Sequence, residues 1–457
     1  MPKNPDPETQ NGAEAEGITG ISACGYKSLH TDCRIEVHPL TILAGANSSG
    51  KSSALQPLLL LKQTLDATYD AGPLRIDGPN VRFTSADQFL SAPLGKPRGN
   101  RITVGIAMGR IGELSLVFRS EPGGEPGQGL AIEEMKDTAD GEIVTLRPGM
   151  TQDDILAVLP PSVRSARETV SKEAGQPLEW AVGRMKCFLE VHLRASAPSE
   201  TGRGFARWAS FSPCWPYEAA VRGAIHVPGL RGNPERTYKR TAVGPTFPGL
   251  FQDYVASILY HWQLDHDDRL TQIGRDLERL GLTWKVVAKP VDETQLELRV
   301  GRLVRGVQGG AKDLVSIADV GFGVSQALPV VLALVTAMPG QLVYVEQPEI
   351  HLHPRAQVQM ADLLAAAALR GVKVVAETHS ALLLLAIQTL VARRDLPQEL
   401  VKLLWFKRDD RTGATEVTPG DLDKAGAFGG WPEDFGEVEL EAQSRYLDAA
   451  DRRRAGV

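Results

Sequence analysis

The chain contains little cysteine and lacks any apolar run long enough to cross a bilayer. It has four cysteines, which are Cys24, Cys33, Cys187 and Cys214. They form no CxxC pair, so we expect reduced cytosolic thiols, neither zinc ligands nor disulfides. The longest apolar runs, 327–338 and 381–387, fall short of the about 20 residues that a membrane helix needs. The polar N-terminus lacks the apolar core of a secretory signal, and we therefore expect a cytoplasmic protein without membrane contact.

An excess of positive charge is also lacking, because 50 Lys and Arg stand against 56 Asp and Glu, a net charge of −6. Any contact with nucleic acid would therefore depend on a local basic patch. Basic residues do cluster in the middle of the chain: Arg222, Arg231, Arg236, Lys239, Arg240, Arg299, Arg302 and Arg305. They could hold DNA phosphates, or they could form solvated faces and structural ion pairs, and the sequence leaves both interpretations open.

Apolar strand-like runs alternate with helix-like runs near both ends of the chain. The runs are 40–44, 52–65, 342–346, 354–370, 372–376, 380–392 and 401–406. Such alternation is typical of an α/β fold with a largely parallel sheet flanked by helices. We therefore predict a split core, an inserted α+β lobe and two terminal segments. The predicted ranges are a disordered tail at 1–18, the core at 19–115 and 305–410, the lobe at 116–304, and a docking element at 411–457.

GANSSGKSS, at residues 45–53, fits the P-loop pattern G-x-x-x-x-G-K-[ST]. It follows an apolar strand and opens a helix, so its backbone N–H groups can surround phosphate oxygens. Lys51 would contact the β- and γ-phosphates and Ser52 would bind Mg²⁺. The pattern therefore predicts a P-loop NTPase that binds ATP and Mg²⁺. The expected nucleotide-binding residues are Asn47, Ser48, Ser49, Gly50, Lys51, Ser52 and Ser53.

Two further strand ends carry polar residues that suit the same site. VYVEQPEIHLHP ends a strand at Glu346, whose carboxylate we expect at the Mg²⁺. VVAETHS brings His379 to a second strand end, where it could contact the γ-phosphate or the attacking water. A Gly-rich turn in ADVGFGVSQ, at 318–326, offers a second set of N–H groups for an anion. Because one nucleotide already has a P-loop, this second set makes most sense across a dimer interface.

GYKSLH, GANSSGKSS, VGFGVSQ, VEQPEIHLHP and ETHS occur in an order that resembles the ABC-type ATPase heads. These are the RecF, SMC and OLD-like proteins, and especially the compact AAA ATPases of bacterial anti-phage defence systems such as Septu, Gabija, PARIS and some retrons. The resemblance covers about 25–115 and 305–410, whereas the middle matches only in patches such as GLRGNPERTY.

The resemblance implies a head-to-tail homodimer that clamps two ATP molecules. By resemblance, Gly323, Ser325 and Gln326 contact the γ-phosphate held by the partner subunit. Glu346 is then the Walker B acid and a metal ligand, His379 the switch histidine and 351–354 the D-loop region. Gln88 is the Q-loop residue that senses Mg²⁺.

Relatives couple such clamping to DNA or to a partner nuclease. OLD-like chains carry a nuclease domain of their own, but the stretch after Phe406 is too short for one. We therefore expect a switch that controls a separate effector such as a nuclease. A RecF-like DNA-repair ATPase and a non-hydrolysing nucleotide-bound scaffold are the alternatives.

Gln347 departs from the resemblance, because most such heads have a catalytic glutamate after the Walker B acid. An amide cannot accept a proton, and losing a general base typically lowers a rate by about 10²–10⁴. We therefore expect slow hydrolysis, with Glu349 or His379 as the replacement. Glu349, His351 and His353 could also be metal ligands, but the flanking prolines favour a loop at the dimer interface.

Overall fold

The computed structural model describes residues 17–120, 129–139, 141–195, 209–302, 313–429, 444–447 and 450. Residues 1–16 of the predicted disordered tail, Arg305 of the basic group and residues 430–443, 448–449 and 451–457 of the predicted docking element lie outside the described residues. Within the described part of the chain, no helix is long and apolar enough to cross a membrane.

The described residues form nineteen strands and nine α-helices. The strands are β1 (Gly20–Cys24), β2 (Cys33–Glu36), β3 (Leu40–Gly45), β4 (Arg101–Met108), β5 (Gly112–Ser120), β6 (Leu130–Ala139), β7 (Glu142–Leu146), β8 (Leu178–Met185), β9 (Phe188–Ala195), β10 (Ser210–Phe211), β11 (Ile225–Val227), β12 (Tyr238–Lys239), β13 (Val286–Pro290), β14 (Gln295–Gly301), β15 (Leu314–Ser316), β16 (Leu342–Glu346), β17 (Lys373–Thr378), β18 (Val401–Arg408) and β19 (Thr415–Gly420). The helices are α1 (Lys51–Asp66), α2 (Gln152–Val158), α3 (Pro161–Ala174), α4 (Trp215–Gly223), α5 (Val255–Leu264), α6 (Arg269–Arg279), α7 (Phe322–Thr336), α8 (Pro354–Leu369) and α9 (Ala381–Ala392).

The central sheet has the strand order β11-β16-β17-β3-β18-β19. Its first five strands are parallel and β19 pairs antiparallel with β18. The central strands β3 and β16 are buried along almost their whole length, because helices or a second sheet cover both faces. Parallel strands bring their carboxyl ends to one edge, so the P-loop after β3 lies beside the ends of β16 and β17. The α/β fold class predicted from the sequence is confirmed.

Two apolar cores separate the layers of the molecule. Alternate residues of β3 enter different cores, with Leu40, Ile42 and Ala44 on one face and Leu43 on the other. The first core includes α5 to α9. The second core includes α1 and the antiparallel sheet β2-β1-β4-β5-β6-β7. Helix α1, which follows the P-loop, is therefore packed between two sheets and buried on most sides.

The middle of the chain is tied to the core by strand pairing. β11 lies within the predicted lobe, yet it pairs with β16 at the edge of the central sheet. β5 spans the predicted boundary at residue 115 and pairs with β6 inside the lobe. β19, from the predicted docking element, belongs to the central sheet. The predicted boundaries stay predictions. The pairings of β11 and β6 join the lobe to the core, and the pairing of β19 joins the docking element to the core.

Lys62 provides a test of how α1 is held. Its buried ammonium lies 3.2 Å from Asp66 Oδ2 and donates to Arg222 O at 3.0 Å. Lys62→Met leaves Asp66 buried without its partner, and we expect it to lower the free energy of unfolding by about 3–5 kcal/mol in urea denaturation. Arg34→Met, which breaks the exposed pair with Glu113, is the control and should change stability little. Equal losses in the two variants would contradict this role of Lys62.

Candidate functional site

A pocket of about 1070 Å³ lies at the carboxyl edge of the central sheet. It brings together most of the residues predicted to bind nucleotide or to act on it: Asn47, Ser48, Ser49, Gly50, Lys51, Ser52, Ser53, Gln88, Gln347 and His379. Glu377, which the sequence interpretation did not assign to the site, also lines the pocket. Glu346, Glu349, Gly323, Ser325 and Gln326 are not among its lining residues.

The P-loop depends on glycine at two positions. Gly45 has φ 146° and Gly50 has φ 103°, in the region of backbone conformation that side chains rarely adopt. A Cβ on Gly50 would lie 2.2 Å from Thr415 Oγ1, and one on Gly45 would lie 2.2 Å from Phe406 O. Thr415 Oγ1 also donates to Ser49 O at 2.8 Å. The loop is therefore fitted against β18 and β19.

The donor groups of the loop suit a triphosphate. Lys51 is 3% exposed, and its Nζ donates to Ala46 O at 2.8 Å and to Gly45 O at 3.1 Å. Burial lowers the pKa of Lys51, and the charges of Glu377 and Glu349 oppose that shift. Helix α1 begins after Gly50 without a side-chain cap, so its amides point toward the pocket. An ammonium group, helix amides, a hydroxyl and a carboxylate together fit a phosphate chain with Mg²⁺.

Glu377 is the carboxylate that contacts the P-loop. Ser52 Oγ donates to its Oε2 at 2.9 Å and to its Oε1 at 3.1 Å, and Tyr344 Oη donates to Oε2 at 3.0 Å. Burial and repulsion from Glu346 raise the pKa of Glu377, whereas Ser52 and Lys51 act in the opposite direction. The sequence shows an acid at the end of this strand, but only the strand order shows that Glu377 lies beside the P-loop.

Glu346 makes hydrogen bonds with the β11 segment, and its predicted contact with Mg²⁺ stays a prediction. His226 Nε2 lies 3.2 Å from its Oε1, and Gly229 N donates to its Oε2 at 3.0 Å. Burial raises the pKa of Glu346, but these hydrogen bonds lower it by more, so the net shift of the pKa is downward. The structure places Glu377 beside Ser52 because β17 lies between β16 and β3.

Arg231 fixes the loop that follows β16. Its Nη2 donates to Glu346 O at 2.7 Å and to Gln347 O at 3.1 Å, and the side chain is 7% exposed. Burial lowers the pKa of the guanidinium to about 10. Gln347 has φ 46° and donates its backbone N–H to Glu377 O at 2.7 Å. The loop conformation that turns Gln347 into the pocket is therefore held from both sides.

Glu349 contacts the segment that carries His379. Its Oε1 accepts hydrogen bonds from Thr378 Oγ1 and from His379 N, both at 2.8 Å. Burial and the charge of Lys51 lower the pKa of His379, which favours the neutral form of its ring. Glu349 thus orients His379 and does not itself face the pocket, which favours a positioning role over the predicted role of general base.

The two histidines near Glu349 have separate local contacts. The His351 ring lies 5.6 Å from the Phe322 ring, and His353 Nδ1 accepts from Arg355 N at the start of α8. Among the described residues, no group of three or more His, Cys, Asp or Glu side chains could hold a metal ion.

The predicted signature segment forms a surface apart from the pocket. A Cβ on Gly323 would lie 2.9 Å from Leu282 Cδ2 and 3.7 Å from His351 O, so the start of α7 adjoins the predicted D-loop. Ser325 Oγ donates to Phe322 O at 3.0 Å. Gln326 is buried and donates to Gly232 O at 2.9 Å. Gln88, by contrast, lies at the exposed rim of the pocket and its amide bonds to Thr84.

Most of the described basic residues that were candidates for DNA binding have partners within the chain. Arg222 pairs with Glu218, Arg236 with Asp319, and Arg299 with Glu297, at 2.8–2.9 Å. Arg240 lies over the Tyr260 ring at 5.1 Å, and Arg231 is buried. These contacts favour structural ion pairs over DNA phosphate binding.

Residues 204–386 match the family described as "AAA domain, putative AbiEii toxin, Type IV TA system". No curated protein matches the chain in sequence. The mixed α/β sheet with its P-loop is consistent with a P-loop NTPase fold, and the partial family match agrees with a nucleotide-binding ATPase fold.

Solved structures similar to this chain include three SMC heads. One is an SMC head bound to the C-winged helix domain of ScpA, at 13% identity and TM-score 0.47, covering 90% of this chain and 99% of that one. The SMC head domain from Thermotoga maritima has 10% identity and TM-score 0.36, with 89% and 100% covered. An SMC head with an extended coiled coil, bound to the C-terminal domain of ScpA and derived from Pyrococcus furiosus, has 12% identity and TM-score 0.41, with 95% and 99% covered.

Two substitutions at Glu349 separate a positioning role from a general-base role. Gln keeps an acceptor oxygen for Thr378 and His379 N, whereas Ala removes it. We expect Glu349→Gln to retain most ATP turnover and Glu349→Ala to lower it by up to about 10²-fold through misplacement of His379. Turnover is measured at saturating ATP, with thermal melting as the control for folding. An equally deep loss in both variants would show that Glu349 is the base.

Proposed function

We propose that the protein binds ATP with Mg²⁺, hydrolyses it slowly and works as a head-to-tail dimeric switch. The observation that carries the proposal is the convergence of Lys51, the N-terminus of α1, Ser52, Glu377 and Gln347 in one pocket. Lys51 and Ser52 begin α1 after β3, Gln347 follows β16, and Glu377 lies at the end of β17, so three parts of the central sheet position these groups. Together they match the needs of a nucleoside triphosphate and its cation.

The residues of the pocket divide the work by their chemistry. Lys51 and the amides of the P-loop bind the phosphates, and Ser52 with Glu377 offers oxygen ligands to the cation. Mg²⁺, when bound, neutralises phosphate charge and polarises the phosphoryl group. The Gln347 amide can orient a water molecule but cannot take its proton. The His379 ring lines the same pocket, and in its neutral form it can accept a hydrogen bond from that water.

Slow hydrolysis follows from the absence of a carboxylate at position 347. The loop holds Gln347 at a positive φ, because its backbone N–H donates to Glu377 O and its carbonyl oxygen accepts from Arg231. The Gln347 side chain therefore occupies the position in the pocket where a catalytic glutamate is expected. Without a general base the rate falls by about 10²–10⁴. A slow enzyme stays clamped on ATP for longer, which suits a switch better than a motor.

The dimer is proposed because the predicted signature residues do not reach the pocket of their own subunit. Gly323, Ser325 and His351 form one surface, and a partner arranged head to tail would bring that surface to the γ-phosphate. Phe322, on the same surface, is 48% exposed. Burial of such an aromatic side chain is a common source of interface stability.

The biological setting is proposed from the sequence resemblance. A sensor ATPase of an anti-phage defence system, controlling a separate effector such as a nuclease, fits the motifs best. A non-hydrolysing scaffold is a second candidate because of Gln347. A RecF-like repair ATPase is less favoured, because the described basic residues are largely paired within the chain.

Gln347→Glu tests the reason for slow turnover. We expect the new carboxylate to raise kcat by about 10²-fold or more, because Glu has nearly the same shape as Gln and can accept a proton. Lys51→Ala, which removes the phosphate-binding ammonium, supplies the blank in the same steady-state assay. Wild-type turnover that already exceeds that of Gln347→Glu would contradict the proposed cause.

Ser325→Arg tests the dimer. We expect wild-type protein to dimerise in ATP and Mg²⁺ in analytical ultracentrifugation, and Ser325→Arg to stay monomeric because a bulky charge enters the interface. Ser165→Arg on α3 is the matched control, since both hydroxyls donate to the carbonyl three residues earlier at 3.0 Å. A monomeric wild type with ATP bound would rule out the clamp.

A further inference from the structure

A hydroxyl and a carboxylate are already paired at the P-loop. Ser52 Oγ donates to both oxygens of Glu377, at 2.9 Å and 3.1 Å. A hydroxyl that gives its proton to a carboxylate keeps its lone pairs, so Ser52 can bind a cation while it stays bonded to Glu377. Mg²⁺ prefers hard oxygen ligands of this kind, usually one or two carboxylates together with phosphates and water.

The strand order explains why Glu377 has this place. β17 lies between β16 and β3, and the register sets Glu377 opposite Leu43 on one side and Glu346 on the other. Neighbouring strands are about 4.8 Å apart. The backbone of Glu346 therefore lies one strand further from the P-loop than the backbone of Glu377.

Contacts on the far side of β16 occupy both oxygens of Glu346. One oxygen lies 3.2 Å from His226 Nε2, and the other accepts from Gly229 N at 3.0 Å. The His226 ring is itself fixed, since its Nδ1 lies 3.1 Å from Asn80 Oδ1 and the ring stacks on Tyr344 at 5.3 Å. Reaching Ser52 would require Glu346 to leave these buried partners.

We propose that Glu377, together with Ser52, binds the Mg²⁺ that accompanies the nucleotide, and that Glu346 stays with His226 and Gly229. The metal carboxylate of this chain is then contributed by the strand that ends in Glu-Thr-His-Ser, not by the strand that ends in Glu-Gln-Pro-Glu. The proposal rests on the proposed nucleotide-binding function of the pocket. It assigns Glu377 a role in binding that the sequence motifs gave to Glu346.

The test is ATP binding by isothermal titration calorimetry, in EDTA and over a range of Mg²⁺ concentrations. We compare wild type with Glu377→Gln and Glu346→Gln, which remove one charge each from neighbouring strand ends. Glu377→Gln should bind ATP in EDTA but need about 10–100-fold more Mg²⁺ for half of the metal-dependent gain in affinity. Glu346→Gln should keep the wild-type Mg²⁺ response. Loss of the response in Glu346→Gln, alone or together with Glu377→Gln, would overturn the assignment.

A second variant covers the case in which Glu377→Gln does not fold. Glu377→Asp keeps the charge but withdraws the carboxylate by one methylene from Ser52, so we expect a smaller rise in the Mg²⁺ requirement. An unchanged requirement in this variant would overturn the proposal. Failure of the proposed function looks different, because wild-type protein would then bind no ATP either in EDTA or in Mg²⁺.

Discussion

Glu346 and Glu377 lie opposite each other at the ends of the parallel strands β16 and β17. The arrangement of the site depends on how each of these two carboxylates is stabilised. Burial raises the pKa of Glu377 and the charge of Glu346 raises it further, so each ionised carboxylate disfavours the other. Glu346 is stabilised by His226 and Gly229 on one side. Glu377 is stabilised by Ser52 and Tyr344 on the other. The P-loop helix and the β11 segment are thus each tied to one of the two acids.

The segment after β11 connects the pocket with the predicted dimer surface. Arg231 donates to the carbonyl oxygens of Glu346 and Gln347, while the next residue, Gly232, accepts from Gln326 on α7. One short loop therefore contacts both the residue that departs from the usual catalytic glutamate and the predicted signature segment. A movement of the loop around Gln347 would therefore be passed to α7 through Arg231 and Gly232.

The local parts of the site could be predicted from the sequence, whereas its cross-strand contacts could not. The P-loop is a contiguous pattern with its strand and helix attached, and the helices 52–65 and 354–370 appear as α1 and α8 almost to the residue. β11 has only three residues, too few for a recognisable strand pattern. The sequence alone did not predict β11 or the strand order. It therefore did not predict that Glu377 lies next to Ser52 or that Arg231 donates to the Gln347 carbonyl oxygen. The acid of the Glu-Gln-Pro-Glu stretch was expected at the metal because it follows the familiar motif, and its buried partner His226 lies far away in the sequence.

The most direct test is a crystal structure with a non-hydrolysable ATP analogue and Mn²⁺, in which anomalous scattering locates the cation. We predict the triphosphate against Lys51 and the amides of residues 46–52, with the metal about 2.1–2.2 Å from Ser52 Oγ. A triphosphate bound elsewhere, or a metal that does not contact Ser52, would contradict the central claim that this pocket is the nucleotide site.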